Sequence, residues 1–379
     1  MKSGKLEKRS GDSSFNLRFS FGFGFGFGAL ILSCIFLNSG CNIQKLAIVM
    51  TAEATGNAAK EIQKYDLPFI VGAGIPSNLL ILETGRLLAP DNPVILANLA
   101  ETYCSYGSGF VEDYDPEKAN ILYYKGYKYA EQALSIINKK FKVTLEKVRK
   151  GEVAAEELAK TIEKKHIREA FWYTACLGYW IATAKGSPES VVEISKMIAL
   201  VDRLIELDED YFYSSPLLLR ATFYATAPSI LGGSPVKSKI YFDKVFKKTN
   251  GKFLLAKAVY AQFYATLLKD RTEKEVYQEE IERLKEKIKS YEEIVAETED
   301  PEIKAKLSQQ LENFKKELQD INNEKVASLF SDKTGEQIFD ETIEEILATP
   351  VDILPDVTLV NAIAKEKAKL LKGKRDQYF

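Results

Sequence analysis

Few side chains in this chain are placed to do chemistry. One histidine and four cysteines are spread over 379 residues. That stock is too thin for a zinc site or a histidine-based nucleophile relay at the usual spacings. His166 follows Lys164 and Lys165 and reads as a solvated surface residue. No G-x-x-x-x-G-K-[ST] occurs, and Gly107-Ser108-Gly109 fits neither a nucleotide loop nor a nucleophile elbow. Paired carboxylates such as Glu344-Glu345 read as ordinary helix surface. The expectation is no catalytic set, no metal and no cofactor, and so no enzyme.

Cys41 is the cysteine with a chemical context. Lys2, Lys5, Lys8, Arg9 and Arg18 precede an apolar run, FSFGFGFGFGALILSCIFL, over 19–37, and Asn38-Ser39-Gly40 lead into Cys41. A basic region, an apolar run and small residues before a cysteine read as a bacterial lipoprotein signal over 1–40. In that class the peptidase cuts before the cysteine, whose sulfur takes a diacylglycerol. Asn38 stands where an apolar residue is usual, and Ile31-Leu32-Ser33-Cys34 is a second possible box. Cutting there would leave an apolar mature end, which favours Cys41. The competing reading is an uncleaved signal anchor, because 19 residues could just span a bilayer. The four glycines of the run weaken such a helix. On either reading the body lies outside the cytoplasmic membrane. Cleavage takes the chain from 52 basic and 54 acidic residues to 47 and 52, a net charge of −5, which gives no electrostatic footprint for nucleic acid. Of the remaining cysteines, Cys104 and Cys176 are a possible disulfide. Cys176 sits in a small-residue packing slot, which favours a buried thiol.

The other distinctive chemistry is aromatic, and it recurs with a spacing. Leu96, Leu99, Ala100 and Tyr103 follow a Pro90-Asp91-Asn92-Pro93 corner with the spacing of the tetratricopeptide pattern. Trp172, Ala175, Cys176 and Tyr179 repeat it, as do Leu217, Ala221 and Tyr224, and more weakly Ala261 and Tyr264. Each copy puts a small residue three positions before a tyrosine. The small residue lets two helices cross closely, and the tyrosine fills the gap toward the next. The fold expectation is all-α, a tetratricopeptide-like solenoid of helix pairs. First helices line the concave face of such solenoids, so Tyr103, Tyr106, Trp172, Tyr179, Trp180 and Tyr224 are candidates for a groove that holds an apolar or amphipathic ligand. Tyr106 and Trp180, just past their packing slots, are the better candidates; the rest also suit an inter-repeat core.

The elements that would position them follow from punctuation and periodicity. A helix is expected after Pro76 with Ser77 as its cap. Others run from Pro93 to about Phe110 and from Asp115 to Ile137. The charged stretch 138–165 reads as an exposed connection. Arg168 to Ala184, apolar nearly all round, is expected at the centre, with 191–207 as its partner. Gly232-Gly233-Ser234-Pro235 is a sharp turn into another helix. Around Glu299-Asp300-Pro301, apolar seams of three-four spacing predict a charged coiled-coil hairpin inserted over 272–334, either a spacer or a docking arm. The repeat domain would then span 41–271, with closing helices over 335–379.

Several phrases together resemble one family. They include CNIQKLAI, LLAPDNPVILANLAETYCSYGSGFVE, REAFWYTACLGYWIA, LGGSPVKSKIYFDKVF and NAIAKEKAKLLKGKRDQYF. The chain resembles the T component of tripartite ATP-independent periplasmic (TRAP) transporters, the TatT-like lipoproteins, over roughly 41–271 and 335–379. The resemblance implies a periplasmic, membrane-anchored auxiliary protein held through lipid on Cys41. It implies association with the transporter's periplasmic solute-binding protein, help in transferring a small organic or hydrophobic ligand, and assembly as homo-oligomers, trimers among them. The 272–334 hairpin departs from the family pattern. The competing function is a tetratricopeptide scaffold for envelope protein assembly.

Overall fold

Prolines and caps cut this chain into helices. In the computed structural model the described residues are 58–379, together with Met50 and Ala54, so Cys41 and the leader lie outside them. Helices occupy most of the described chain and no strand is found among those residues, an all-α fold as expected. No helix among them is long and apolar enough to cross a membrane.

Helix α1, Pro68–Leu88, and α2, Pro93–Tyr106, meet at the predicted corner. Asn92 caps α2 by accepting from the amides of Val94 and Ile95. Helix α1 begins earlier than the sequence suggested and runs through Pro76. The proline ring lies on the exposed face, and the residue four positions earlier, whose carbonyl the ring would crowd, is Gly72. Helix α2 continues through a π turn, Gly107–Val111, before α3, Pro116–Ile137, which Asp115 caps.

The charged stretch 138–165 is not an exposed connection. It forms α4, Lys139–Arg149, and α5, Ala155–Lys160, and buries Phe141, Leu145, Leu158 and Ile162. Its apolar residues are few, but these four fall on the side that meets the core, while Val143 and the charges face solvent. This packing pulls His166 inward, so the exposed histidine expected from its lysine neighbours is buried. Asn138 places its amide nitrogen 3.3 Å from His166 Nδ1, and the Glu163 amide donates to the same nitrogen. Burial lowers the pKa of His166.

Helix α6, Ile167–Thr183, then runs through the centre of one of the two large core clusters, packed against α3 and followed by the single turn α7, Pro188–Val191, and by α8, Ile194–Asp208. Helix α9, Tyr211–Thr226, contains a left-handed turn at Phe212, Tyr213 and Ser214, so its regular part starts near Pro216. Three consecutive non-glycine residues at positive φ are costly, at about 1–2 kcal/mol each. Rings hold them: Tyr213 stacks on Phe253 at 5.5 Å, and Phe212 lies 6.3 Å from Phe171.

The Gly-Gly-Ser-Pro turn leads into α10, Pro235–Thr249, with Ser234 as cap. Helix α11, Leu254–Val259, passes through a second π turn, Tyr260–Ala265, into the short α12, Thr266–Leu268. The hairpin follows as α13, Glu273–Glu297, and α14, Pro301–Ile321, then a turn of helix, α15, Glu324–Ala327. Only its base is packed: between Leu284 and Leu311 no residue is buried. Helices α16, Gly335–Ala348, and α17, Thr358–Gly373, close the chain. Helix α17 returns to the N-terminal pair. Lys367 pairs with Asp113 at 2.6 Å, and the Leu359 amide donates to the Gln63 carbonyl at 2.8 Å.

Candidate functional site

Helix junctions in this protein share one recurring arrangement: tyrosines set against a carboxylate and a cation. At the first junction, Glu83 on α1 accepts from Tyr103 Oη at 2.8 Å, Tyr129 Oη at 2.8 Å and Arg86 Nε at 2.8 Å. Burial alone would raise the Glu83 carboxyl, but these donors outweigh it and hold the pKa at about 2. Lys125 completes the group, 5.2 Å over the Tyr103 ring.

At the second junction the groups come from α3, α6 and α8. Lys196 donates to Tyr127 Oη at 3.1 Å, pairs with Glu193 and lies over the Tyr127 and Tyr173 rings. Burial depresses its pKa against the pull of Glu193. Trp180 lies parallel to Tyr127 at 6.0 Å and meets Tyr124 at 5.4 Å. Asn120 fixes the end of α6 beside it, donating to the Trp180 carbonyl and to Thr183 Oγ1.

The third junction joins Asp202 on α8 to Arg220 and Tyr224 on α9, with the guanidinium 4.5 Å over the Tyr224 ring. At the fourth, Lys239 donates to Tyr260 Oη at 3.1 Å and pairs with Glu273 at 3.1 Å, while Tyr260 stacks on Tyr264. The chemistry is the same in each case. A phenol can bury its ring in a helix crossing while its hydroxyl reaches a charged pair, so the junction is both apolar and directional.

The sequence-derived candidates are distributed over these junctions and do not form one group. Tyr103 is buried at the first and Tyr224 at the third. Tyr179 packs on Tyr123 at 5.1 Å; Tyr123 in turn donates to Glu112, and burial raises Tyr179 to about 12. Trp172 meets Phe171 edge-on, and Tyr106 lies against Phe110 at 6.1 Å. Trp180 alone among the six shares an aromatic cluster with a solvent-exposed ring, Tyr124, 45% exposed. The tyrosines of α3 and the charged residues Glu83 and Lys196 were missed as partners. Their signal was the YYKGYKY run, which puts aromatics on adjoining faces without saying what they meet.

Cys104 and Cys176 are joined in a disulfide between α2 and α6, with 5.6 Å between their Cα atoms. This corrects the buried-thiol expectation. The small-residue slot that seemed to argue against a bridge is what brings the two helices close enough for one. Gly126 on α3 packs against both sulfurs: a Cβ there would lie 2.9 Å from Cys176 Sγ and 3.1 Å from Cys104 Sγ. Among the described residues no group of three metal-ligating side chains converges.

No curated protein matches the sequence. A protein-family model, TRAP transporter T-component, matches residues 64–290 and 332–379. The unmatched stretch, 291–331, lies within the hairpin and takes the end of α13, all of α14 and α15. With most of its length matched, the chain belongs to the TRAP transporter T-component family.

Proposed function

We infer that family membership gives this chain an auxiliary role in an envelope-associated TRAP transporter system. We propose that the chain is a periplasmic lipoprotein, anchored through Cys41, that binds the transporter's solute-binding protein and passes it a small organic or hydrophobic ligand. The family match is the observation that carries this reading. The Cys104–Cys176 bridge supports it independently, because such bonds persist in oxidising compartments outside the cytoplasm. Cleavage before Cys41 would leave the bridge as the remaining cysteine chemistry.

The helix pairs form a tetratricopeptide-like solenoid on this reading, supported by the recurrent small-residue and tyrosine spacing. Its ligand contact is the Trp180 and Tyr124 platform, the half-exposed end of an otherwise buried aromatic cluster. Tyr106 is the second contact, whereas Tyr103, Trp172, Tyr179 and Tyr224 serve the junctions behind it. Residues 272–334 are an insertion, supported by the antiparallel bridge between Thr272 and Thr334 that brings its ends together. The assembly is a homotrimer.

Affinity capture of the lipidated protein from solubilised envelope, with co-eluting proteins identified by mass spectrometry, tests this. Recovery of a periplasmic solute-binding protein is expected, with ligand transfer to it reduced by Trp180→Ala. Recovery of outer-membrane assembly factors without it would replace this reading with the scaffold one. Sedimentation of the same material reads the oligomer, and a monomer would remove the trimer.

A further inference from the structure

Helix α1 is built the reverse of a solvated helix. Its two charged side chains, Glu83 and Arg86, pair with each other at 2.8 Å and turn toward Tyr103 and Tyr129. On the side turned away from the buried Leu79, Leu82 and Gly85 stand Phe69, Ile70, Leu80, Ile81, Leu87 and Leu88, all exposed, with Leu80 at 71%. Every other exposed position on the helix is small or uncharged. At 1.5 Å per residue this apolar face is about 30 Å long. An uncharged exposed face of that length marks an interaction surface.

We propose that the α1 face rests on the lipid bilayer, seating the body against the membrane that holds its anchor. This rests on the reading of Cys41 as the lipid-bearing residue. Two observations choose the bilayer over a protein. First, exposed large apolar side chains are concentrated at the anchor end of the chain. Of those found among the described residues, ten lie between Met50 and Leu88 and 14 over the rest of the chain. Second, the face itself carries no charged side chain, and the two at its edge, Glu83 and Arg86, are paired with each other, so it offers none of the free charges that set register and orientation where one helix packs on another. A bilayer needs none. Pro68 follows Cys41 by 27 positions, which bounds the span between them at about 90 Å. The anchor therefore permits contact without imposing it, and it makes insertion of the face effectively intramolecular, so even weak partitioning is sufficient.

The test uses the full chain, processed and acylated, reconstituted in phosphatidylcholine vesicles. Leu80→Cys and, in a separate protein, Val192→Cys are labelled with an environment-sensitive fluorophore. Acylated Cys41 and the Cys104–Cys176 bridge leave the introduced thiol as the one that reacts. The expected result is a blue-shifted Leu80→Cys label quenched by acyl-chain-brominated lipid, with the Val192→Cys label in water. Leu80→Glu, at an exposed position that folding does not need, lowers retention of the face on vesicles about tenfold by the same readout at Ile81→Cys. A label at 80 that stays in water overturns the proposal. So does one shielded without vesicles in proportion to protein concentration, which would put a second copy on the face. Mass measurement of the Cys41 peptide reads the anchor separately. If it is bare, the lipoprotein reading fails, and the unacylated full chain with Cys34→Ser and Cys41→Ser then decides: vesicle quenching at 80 upholds the face and its absence overturns it.

Discussion

Removing the Cys104–Cys176 bridge tests how the two halves of the core are held. The perturbation is Cys104→Ala with Cys176→Ala. The bridge closes a loop across 72 positions, and in the chain-entropy treatment a loop of that size restrains the unfolded state by about 4 kcal/mol. The native state loses little in return, because alanine fits a slot where both sulfurs are buried. Urea unfolding of the chain from residue 42, followed by tryptophan fluorescence, is the assay. Trp172 and Trp180 both lie on α6 with Cys176, so the probe reports the helix that the bridge holds. The midpoint should fall, and the slope should steepen, because the unbridged unfolded chain exposes more surface. A coupled measurement sharpens this. Gly126→Ala should cost about 2 kcal/mol in the bridged protein, since its Cβ has no room between the sulfurs, and clearly less in the double alanine variant. A stability loss under about 1 kcal/mol, or two free thiols in the oxidised protein, would refute the reasoning.

Three further outcomes follow from the geometry. Glu83 has its pKa depressed from 4.5 to about 2, so its contribution is fully present above pH about 4.5 and is lost as pH falls toward 2; about 2 kcal/mol of acid-sensitive stability should disappear in Glu83→Gln, read by urea titrations across that window. Gly233→Ala puts a Cβ 1.8 Å from the Ala227 carbonyl oxygen; the turn must shift, and calorimetry should register a loss of about 3 kcal/mol. Replacing 288–307 by a short Gly-Ser turn should leave the melting temperature within a few degrees, because nothing buried is removed. Excising all of 272–334 should not, since Tyr277, Ile281, Leu284 and Phe330 pack on Val236 at the hairpin base.

Much of the helical layout was legible because its signals are local. Asn92 with Pro93, Asp115 with Pro116, Ser234 with Pro235 and Asp300 with Pro301 each fix a helix start by capping chemistry and a preset φ. The apolar surround of α6 announced its central place, and the three-four seams announced the hairpin. Composition removed metal and nucleotide chemistry from consideration. The candidate aromatics were found by type and spacing, but only as single residues.

What tertiary structure decided was the partner of each side chain. His166 looked exposed beside two lysines, and distant burial of Phe141 and Ile162 turned it inward. Cys176 looked like a lone thiol until α2 approached α6. The charged stretch 138–165 packs because four apolar residues suffice when a core stands opposite them. The left-handed turn at 212–214 has no glycine to advertise it and persists because rings from separate helices clamp it. Spacing along a chain fixes which residues share a helix face, since that is a matter of 3.6 residues per turn. Which carboxylate meets which tyrosine depends on how helices far apart in sequence cross, and that is settled only when the whole chain packs.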